Sequence, residues 1–316
     1  MMRLKRRTNL LLGLVFVAIA VVLLLRALNL IPDGLFDLIT RGWPALLVLL
    51  GLSVFLRERV PFGSLIALVV CGLLVGGLAT SAYSARSRQE RTDYQENVAQ
   101  PIGDKISLLH VQVVTLDSDV ELVRTLSGSS VTGQFIGSTE SKLTSEYAEG
   151  ADNTATLTIT ETHPSQFPML GSVGRGRLRL ELPAGIAMDV AFNGGNGDVS
   201  LNLSGLSLER LNVDLQKGTA LVTLPEYKPL GSSPDASLGA LAVREGNISV
   251  FVPTTVAAHF DLDTGARPQF DPTVYNLLDV GTGRALESRL FDAASIKLRY
   301  TIIAPRGEIS VAAAGQ

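Results

Sequence analysis

Three histidines (His110, His163, His259), one cysteine (Cys71) and two close carboxylate pairs, Asp117–Asp119 and Asp261–Asp263, are the residues from which chemistry could be built. A nucleophilic relay needs a histidine within hydrogen-bond reach of both its partners. His110 falls at a strand edge, His163 precedes Pro164 in a loop, and His259 follows Val256-Ala-Ala in a strand, so each reads as an ordinary surface or edge residue. No histidine pair has helical spacing for zinc, and a single cysteine excludes an internal disulfide framework or a cysteine-based zinc site. Each carboxylate pair lies on one side of a strand, as a hard cation would want, but calcium takes about six to eight oxygens. Solvated turn carboxylates are the expected role. Gly194-Gly-Asn-Gly-Asp198 matches a calcium-binding β-helix repeat only once and reads as a tight corner. Gly281-Thr-Gly283-Arg284 lacks the third glycine, helix pattern and lysine of a phosphate cradle. Arg175, Arg177 and Arg179 alternate along one strand, about 7 Å apart, and so line one face. That row is a candidate site for an anionic lipid headgroup or envelope polymer, or else a solvated strand face. The sequence therefore predicts no catalytic residue, no cofactor, no metal and no enzymatic activity.

The elements that carry these residues are of two kinds. Residues 1–82 hold eight basic and three acidic side chains, which leaves 19 basic and 27 acidic ones for the rest, a formal net charge of −8. A greasy, basic N-terminal region thus precedes an acidic, polar remainder. Nucleic acid is excluded as a partner, because neutralising phosphates needs a basic face that the larger part lacks. The first 85 residues contain three apolar segments. Spanning a hydrocarbon core of about 30 Å takes roughly 20 helical residues, which predicts about three spans near 10–30, 39–56 and 62–82. Met1–Arg7 is basic and Ala18-Ile-Ala20 resembles a cleavage site, yet the apolar run continues past it, so an uncleaved anchor is expected. Cys71 lacks the small-residue approach of a lipoprotein signal and reads as a small apolar residue. Trp43-Pro44 reads as the interfacial start of the second helix. Gly72 and Gly76 form a GxxxG pair that lets helix backbones approach closely, either within this protein's own bundle or between copies.

With the N-terminus in the cytoplasm, six basic residues flank the spans inside and five outside. The tail at the first helix usually sets orientation. Three spans then carry the remainder to the extracytoplasmic side.

Residues 86–101 are polar, without apolar period, and read as a linker. From 102 to 316 the period becomes two: Thr156-Leu-Thr-Ile-Thr160, Arg177-Leu-Arg-Leu-Glu-Leu182, Val199-Ser-Leu-Asn-Leu203, Leu211-Asn-Val-Asp-Leu215 and Ile296-Lys-Leu-Arg-Tyr300 all alternate. Alternation puts one face on a core and the other in water. Gly197-Asp-Val-Ser-Leu, Gly218-Thr-Ala-Leu-Val, Gly246-Asn-Ile-Ser-Val and Gly307-Glu-Ile-Ser-Val repeat a glycine, a polar residue and a strand. Leu182-Pro183, Leu224-Pro225 and Val252-Pro253 end strands where no N–H is needed. Repeated short β units predict a stacked, solenoid-like all-β domain, with a β-sandwich as the alternative. Residues 267–292 read as a loop inserted into the last interval.

Leu28-Asn-Leu-Ile-Pro32 with Trp43-Pro-Ala-Leu-Leu-Val-Leu-Leu-Gly51 resembles the membrane region of LiaF-like bacterial envelope proteins. Gly197-Asp-Val-Ser-Leu-Asn-Leu-Ser-Gly-Leu-Ser-Leu208, Leu211-Asn-Val, Lys217-Gly218 and Leu224-Pro225 resemble the toast-rack β domain of that group. The resemblance implies a non-enzymatic multi-pass protein of the bacterial plasma membrane that senses or restrains envelope-stress signalling. Its implied partner besides the bilayer is a membrane histidine kinase or another membrane protein, with a homo-oligomer as a further expectation. The competing reading is a structural or adhesive surface protein whose β stack binds envelope polymers or copies of itself.

Overall fold

A computed structural model describes residues 37, 40–41, 63–125, 128–165, 169–230, 236–264, 268–280 and 283–314. The chain divides into a unit of residues 1–89 with 164–173, and a unit of residues 90–163 with 174–316.

In the first unit, α1 spans Gly63–Ser87; its first turn has no acidic residue and Arg86 lies in its last turn, where a cation complements the helix dipole. The hydroxyls of Thr80 and Ser81 donate back to the Gly76 and Leu78 carbonyls, so these polar groups are satisfied within the helix. Among the described residues no helix is long and apolar enough to cross a membrane. The segments expected at 10–30 and 39–56, with Trp43 and Pro44, lie outside the described residues, apart from the short stretch at Asp37 to Arg41.

The second unit is all β. Its strands are Tyr94–Pro101 (β1), Leu108–Thr115 (β2), Ser118–Arg124 (β3), Ser130–Gly137 (β4), Lys142–Glu149 (β5), Thr154–Thr162 (β6) and Gly176–Leu182 (β7). Then come Ala187–Asn196 (β8), Val199–Asn202 (β9), Ser207–Lys217 (β10), Ala220–Thr223 (β11), Ala240–Glu245 (β12) and Ile248–Val252 (β13). Ala257–Thr264 (β14), Gln269–Phe270 (β15), Tyr275–Val280 (β16), Gly283–Ser288 (β17), Lys297–Ala304 (β18) and Ile309–Ala313 (β19) complete it. One sheet runs β1-β4-β7-β3-β9-β11-β13-β19-β15, the other β16-β17-β14-β18-β12-β10-β8-β2-β6-β5. The central strands of both are parallel. Consecutive strands, one in each sheet, therefore make a rung, and rungs stack.

Register shows why this sequence stacks. In the first sheet Val120, Val199, Ala220, Ile248 and Ile309 are successive partners, and all are buried. In the second, Ile159, Val113, Phe192, Val213, Leu241, Ile302 and Leu262 form a like column, also buried. One rung has too little apolar surface to fold alone; its neighbours complete the core. Stack order departs from chain order twice. The β2–β3 rung lies between β6–β7 and β8–β9, and β18–β19 lies between β12–β13 and β14–β15.

Antiparallel strands close every sheet end but the one at β15, which runs parallel to β19. β1 and β4 flank β7, β5 flanks β6, and the β16–β17 hairpin flanks β14. β1 buries Val98 alone and β5 Leu143 alone, which leaves polar outer edges.

Two segments differ from the sequence expectation. The stretch 86–101 contains the end of α1 and the whole of β1 rather than linker alone. As an outer strand, β1 needs little apolar surface, so its composition looks like that of a linker. The stretch 267–292 is not a bare loop: it forms β15 and the β16–β17 hairpin, with Tyr275, Ala285, Leu286 and Phe291 buried.

Candidate functional site

The glycine–polar repeat forms one corner of the stack. At Gly218 and Gly246 φ is 142° and 136°, a region that disfavours any side chain. Space forbids one as well. A Cβ at Gly218 would lie 1.8 Å from the Gly197 carbonyl oxygen, and one at Gly246 1.8 Å from that of Gly218. The polar residues that follow form a ladder of acceptors. The Asp119 carboxylate accepts the Asp198 N–H at 2.7 Å, Asp198 accepts the Thr219 N–H at 2.8 Å, and Asn247 accepts the Glu308 N–H at 2.9 Å. Asp117 accepts from the Asn196 amide at 2.8 Å. The Asp117–Asp119 pair thus holds a corner. Among the described residues no group of three or more possible ligands could hold a metal.

The arginine row lies on the outer face of the first sheet and is charge-compensated. Arg175 lies 3.1 Å from Asp119, Arg177 2.6 Å from Glu90, and Arg179 3.1 Å from Glu121. Beside it runs a shallow groove of about 490 Å³ whose lining includes Arg177, Glu121, Asp198, Ser200 and Leu221. An anion there would compete with carboxylates already in place, so the row suits a solvated strand face better than an anion site.

Among the described residues none of the histidines completes a relay. His110 pairs with Asp189 at 3.2 Å on the surface. His163 has Ser141 Oγ at 3.0 Å and Glu161 Oε1 at 3.5 Å, both from the same ring nitrogen, Nε2. A relay needs the two partners on opposite nitrogens. His259 has Glu287 at 2.7 Å from Nδ1 and Asp261 at 3.2 Å from Nε2, which leaves neither nitrogen for a nucleophile. Against the sequence expectation of a surface or edge residue, His259 is buried, under Phe291. The sequence held one signal for this, Asp261 two residues on and so on the same strand face. Glu287 comes from the distant β17 and gave none.

The Pro164–Val173 loop, which joins β6 to β7, belongs to the helical unit. There the Leu170 N–H donates to the Asp37 carboxylate at 3.3 Å, and Arg41 Nε lies 2.9 Å from the same side chain. Cβ atoms added at Gly72 or Gly76 would meet nothing within 4 Å.

Residues 11–85 match the model of the LiaF transmembrane domain, and residues 90–239 match that of the N-terminal domain of toast_rack, DUF2154. This is a LiaF-like toast-rack protein. The LiaF domain makes it a membrane protein, and neither matched domain is an enzyme family. A candidate cell-adhesion protein from Clostridium sporogenes ATCC 15579 shares the fold, at 14% identity and a TM-score of 0.57, over 70% of this chain and 99% of that one. A candidate adhesin from Bacteroides fragilis NCTC 9343, 10% identical, covers 69% of this chain and 97% of its own, but its TM-score of 0.22 is too low to carry an argument. No curated protein matches the sequence. The toast-rack match ends at residue 239, just before β12, yet Gly246 and Gly307 continue the same corner column. The LiaF-like chain thus extends its stack past the matched domain by the same packing rule.

Proposed function

We propose that this LiaF-like protein is a non-enzymatic regulator of the bacterial envelope-stress response that acts with a membrane histidine kinase. It crosses the membrane three times, with its N-terminus in the cytoplasm and its toast-rack body outside. The contact of Leu170 with Asp37 supports this topology most. Asp37 precedes the second expected span, whereas Leu170 belongs to a loop far beyond the third. Groups that hydrogen-bond lie on one side of the membrane, so an even number of spans separates them. The apolar segments at 39–56 and 62–82 supply that number. The second is free of charge from Val60 to Ala85, and the 23 residues from Gly63 to Ala85 lie in the described helix, about 35 Å at 1.5 Å per residue.

Crosslinking in native membranes tests the partner: the chain should capture a histidine kinase, and cell-wall antibiotics should induce a stress regulon differently in a deletion strain. An unchanged transcript profile with no kinase captured refutes the reading. Reporter fusions at Tyr227 and Gln316 test the topology, and both should be active outside the cytoplasm. Activity on the cytoplasmic side at both would overturn three spans. The fold shared with a candidate cell-adhesion protein favours one second reading, a surface protein that binds envelope polymers or its own copies. Such a protein would bind purified envelope polymer and need no inner-membrane partner.

A further inference from the structure

β1 ends the first sheet, and among the described residues it pairs with β4 alone. The Ile102 N–H donates to the Ser129 carbonyl at 2.9 Å, one step beyond the Pro101–Ser130 pair, and this fixes the alternation of the ladder. In an antiparallel ladder every second residue bonds its neighbour, and those between turn their N–H and C=O the other way. Glu96, Val98 and Gln100 therefore serve β4. Gln95, Asn97 and Ala99 turn theirs outward, as does Pro101, which has no N–H to offer. That edge lacks the usual defences. Sheet edges are kept single by charged side chains, bulges or brevity. β5, which ends the second sheet, carries Lys142, Glu146 and Glu149. β1 runs eight residues in unbroken register, and its one charge, Glu96, accepts the Tyr94 hydroxyl.

We propose that β1 is a self-pairing strand: two copies of the chain join antiparallel along it, about a twofold axis at Asn97, and fuse their first sheets into one. A twofold contact brings the same edge to itself, so donors meet acceptors by symmetry. Outward residues must pair with outward residues, which puts the axis on one of them. At Asn97 the axis sets Asn97 opposite Asn97 and Gln95 opposite Ala99, and each pair exchanges both backbone bonds. At Ala99 it would set Pro101 opposite Asn97, whose carbonyl would then face no donor. At Gln95 it would set Asn97 opposite Asp93, outside β1. Pro101 thus selects the register. Charge agrees with it. Gln95, Asn97 and Ala99 are exposed and uncharged, as are their β4 partners Ile136, Gln134 and Thr132 uncharged, although residues 83–316 carry a formal net charge of −8. Glu96 would lie opposite Val98 of the second copy, so no carboxylate faces another. The pairing stands on β1 and β4 alone and is independent of either reading of function.

The test uses the full chain in native membranes, with its single cysteine removed by Cys71→Ser. Across the axis the two Asn97 Cα atoms would lie about 5.5 Å apart, inside the roughly 4.4–6.8 Å that a disulfide spans. Asn97→Cys should therefore give a crosslinked dimer under mild oxidation. Gln95→Cys would lie about 14 Å from its own counterpart, four residues along the strand, and should not crosslink alone. Gln95→Cys with Ala99→Cys in one chain should. A dimer held by the membrane helices alone would show no such register. Ala99→Pro removes one outward N–H and leaves the bonds to β4 in place; added to Asn97→Cys, it should abolish the dimer. Asn97→Lys sets two like charges face to face and should abolish the Gln95→Cys/Ala99→Cys dimer. The β signal in circular dichroism of the purified chain should stay unchanged in the Asn97→Lys chain. Absence of either predicted dimer overturns the pairing, as does crosslinking of Gln95→Cys alone. So does a dimer that survives Asn97→Lys.

Discussion

Replacing Gly218 with alanine tests whether the corner column holds the stack. The new Cβ would start 1.8 Å from the Gly197 carbonyl oxygen, whereas ordinary contact begins near 3.4 Å. That oxygen is backbone, so no side-chain rotation relieves the clash, and the rungs must part locally. Parting them strains the Gly218 N–H bond to Glu245 at 3.0 Å and the Thr219 N–H bond to Asp198 at 2.8 Å. Two hydrogen bonds at about 1 kcal/mol each, plus about 1–3 kcal/mol for a side chain at φ 142°, give a loss of about 3–5 kcal/mol. For a body of about 200 residues this lowers Tm by roughly 6–20 °C. Gly185 is the control. Its φ is 84° but an added Cβ meets nothing within 4 Å, so Gly185→Ala should cost only about 1–2 kcal/mol. Thermal unfolding of the full chain, followed by the β signal in circular dichroism, separates the two. A Gly218→Ala loss no larger than that of Gly185→Ala would refute the close-contact reasoning.

The buried Glu161 carboxylate accepts the Leu116 N–H at 2.8 Å and the Asp117 N–H at 3.3 Å at the β2–β3 corner, so Glu161→Ala should destabilise the body by roughly 2–4 kcal/mol by leaving both without their acceptor; denaturant titration reads this, and a loss under about 1 kcal/mol contradicts that role at the corner. Arg179→Ala removes an exposed pair with Glu121 and should shift stability by no more than about 0.5 kcal/mol, with the small effect shrinking further in high salt. Gly72→Leu with Gly76→Leu keeps α1 apolar but holds neighbouring backbones apart. That double variant should be expressed and protease-resistant, yet lose crosslinks to its membrane partner; wild-type crosslinking would limit the glycines to packing within the chain. Phe192→Ala, in the buried column of the second sheet, should cost about 3–5 kcal/mol, measured by the same thermal melt.

Strands whose residues alternate strictly were legible because each has one dry and one wet face. Thr156–Thr160, Arg177–Leu182 and Leu211–Leu215 all lie within β6, β7 and β10. The recurring glycine was legible for a related reason: a close backbone approach tolerates no other residue. Neighbour order was not legible, since a period of two says which face is buried and nothing about which strand lies alongside. Edge strands escaped for the opposite reason. In Tyr94–Pro101 only Val98 is buried, so no apolar rhythm marks it. The histidine environments needed carboxylates from elsewhere in the fold. Asp189 and Glu287 reach His110 and His259 across strands, and only Glu161 and Asp261 are near in sequence to the rings they meet.

The displaced β18–β19 rung has a consequence for how such a chain matures. A solenoid stacked in chain order can grow as it emerges from the ribosome, each turn docking on the last. Here the outer strand β14 has for its parallel neighbour β18, which is synthesised more than thirty residues later. Until Lys297–Ala313 arrives, the apolar flank of β12–β13 has no cover and β14, though it can pair with β17, has no strand to link it to the stack. The β18–β19 rung therefore acts as a keystone: the far end of the body locks only after residues 297–313 have been made, and a chain stopped short of them is left with an unsealed sheet edge ready to pair with another molecule.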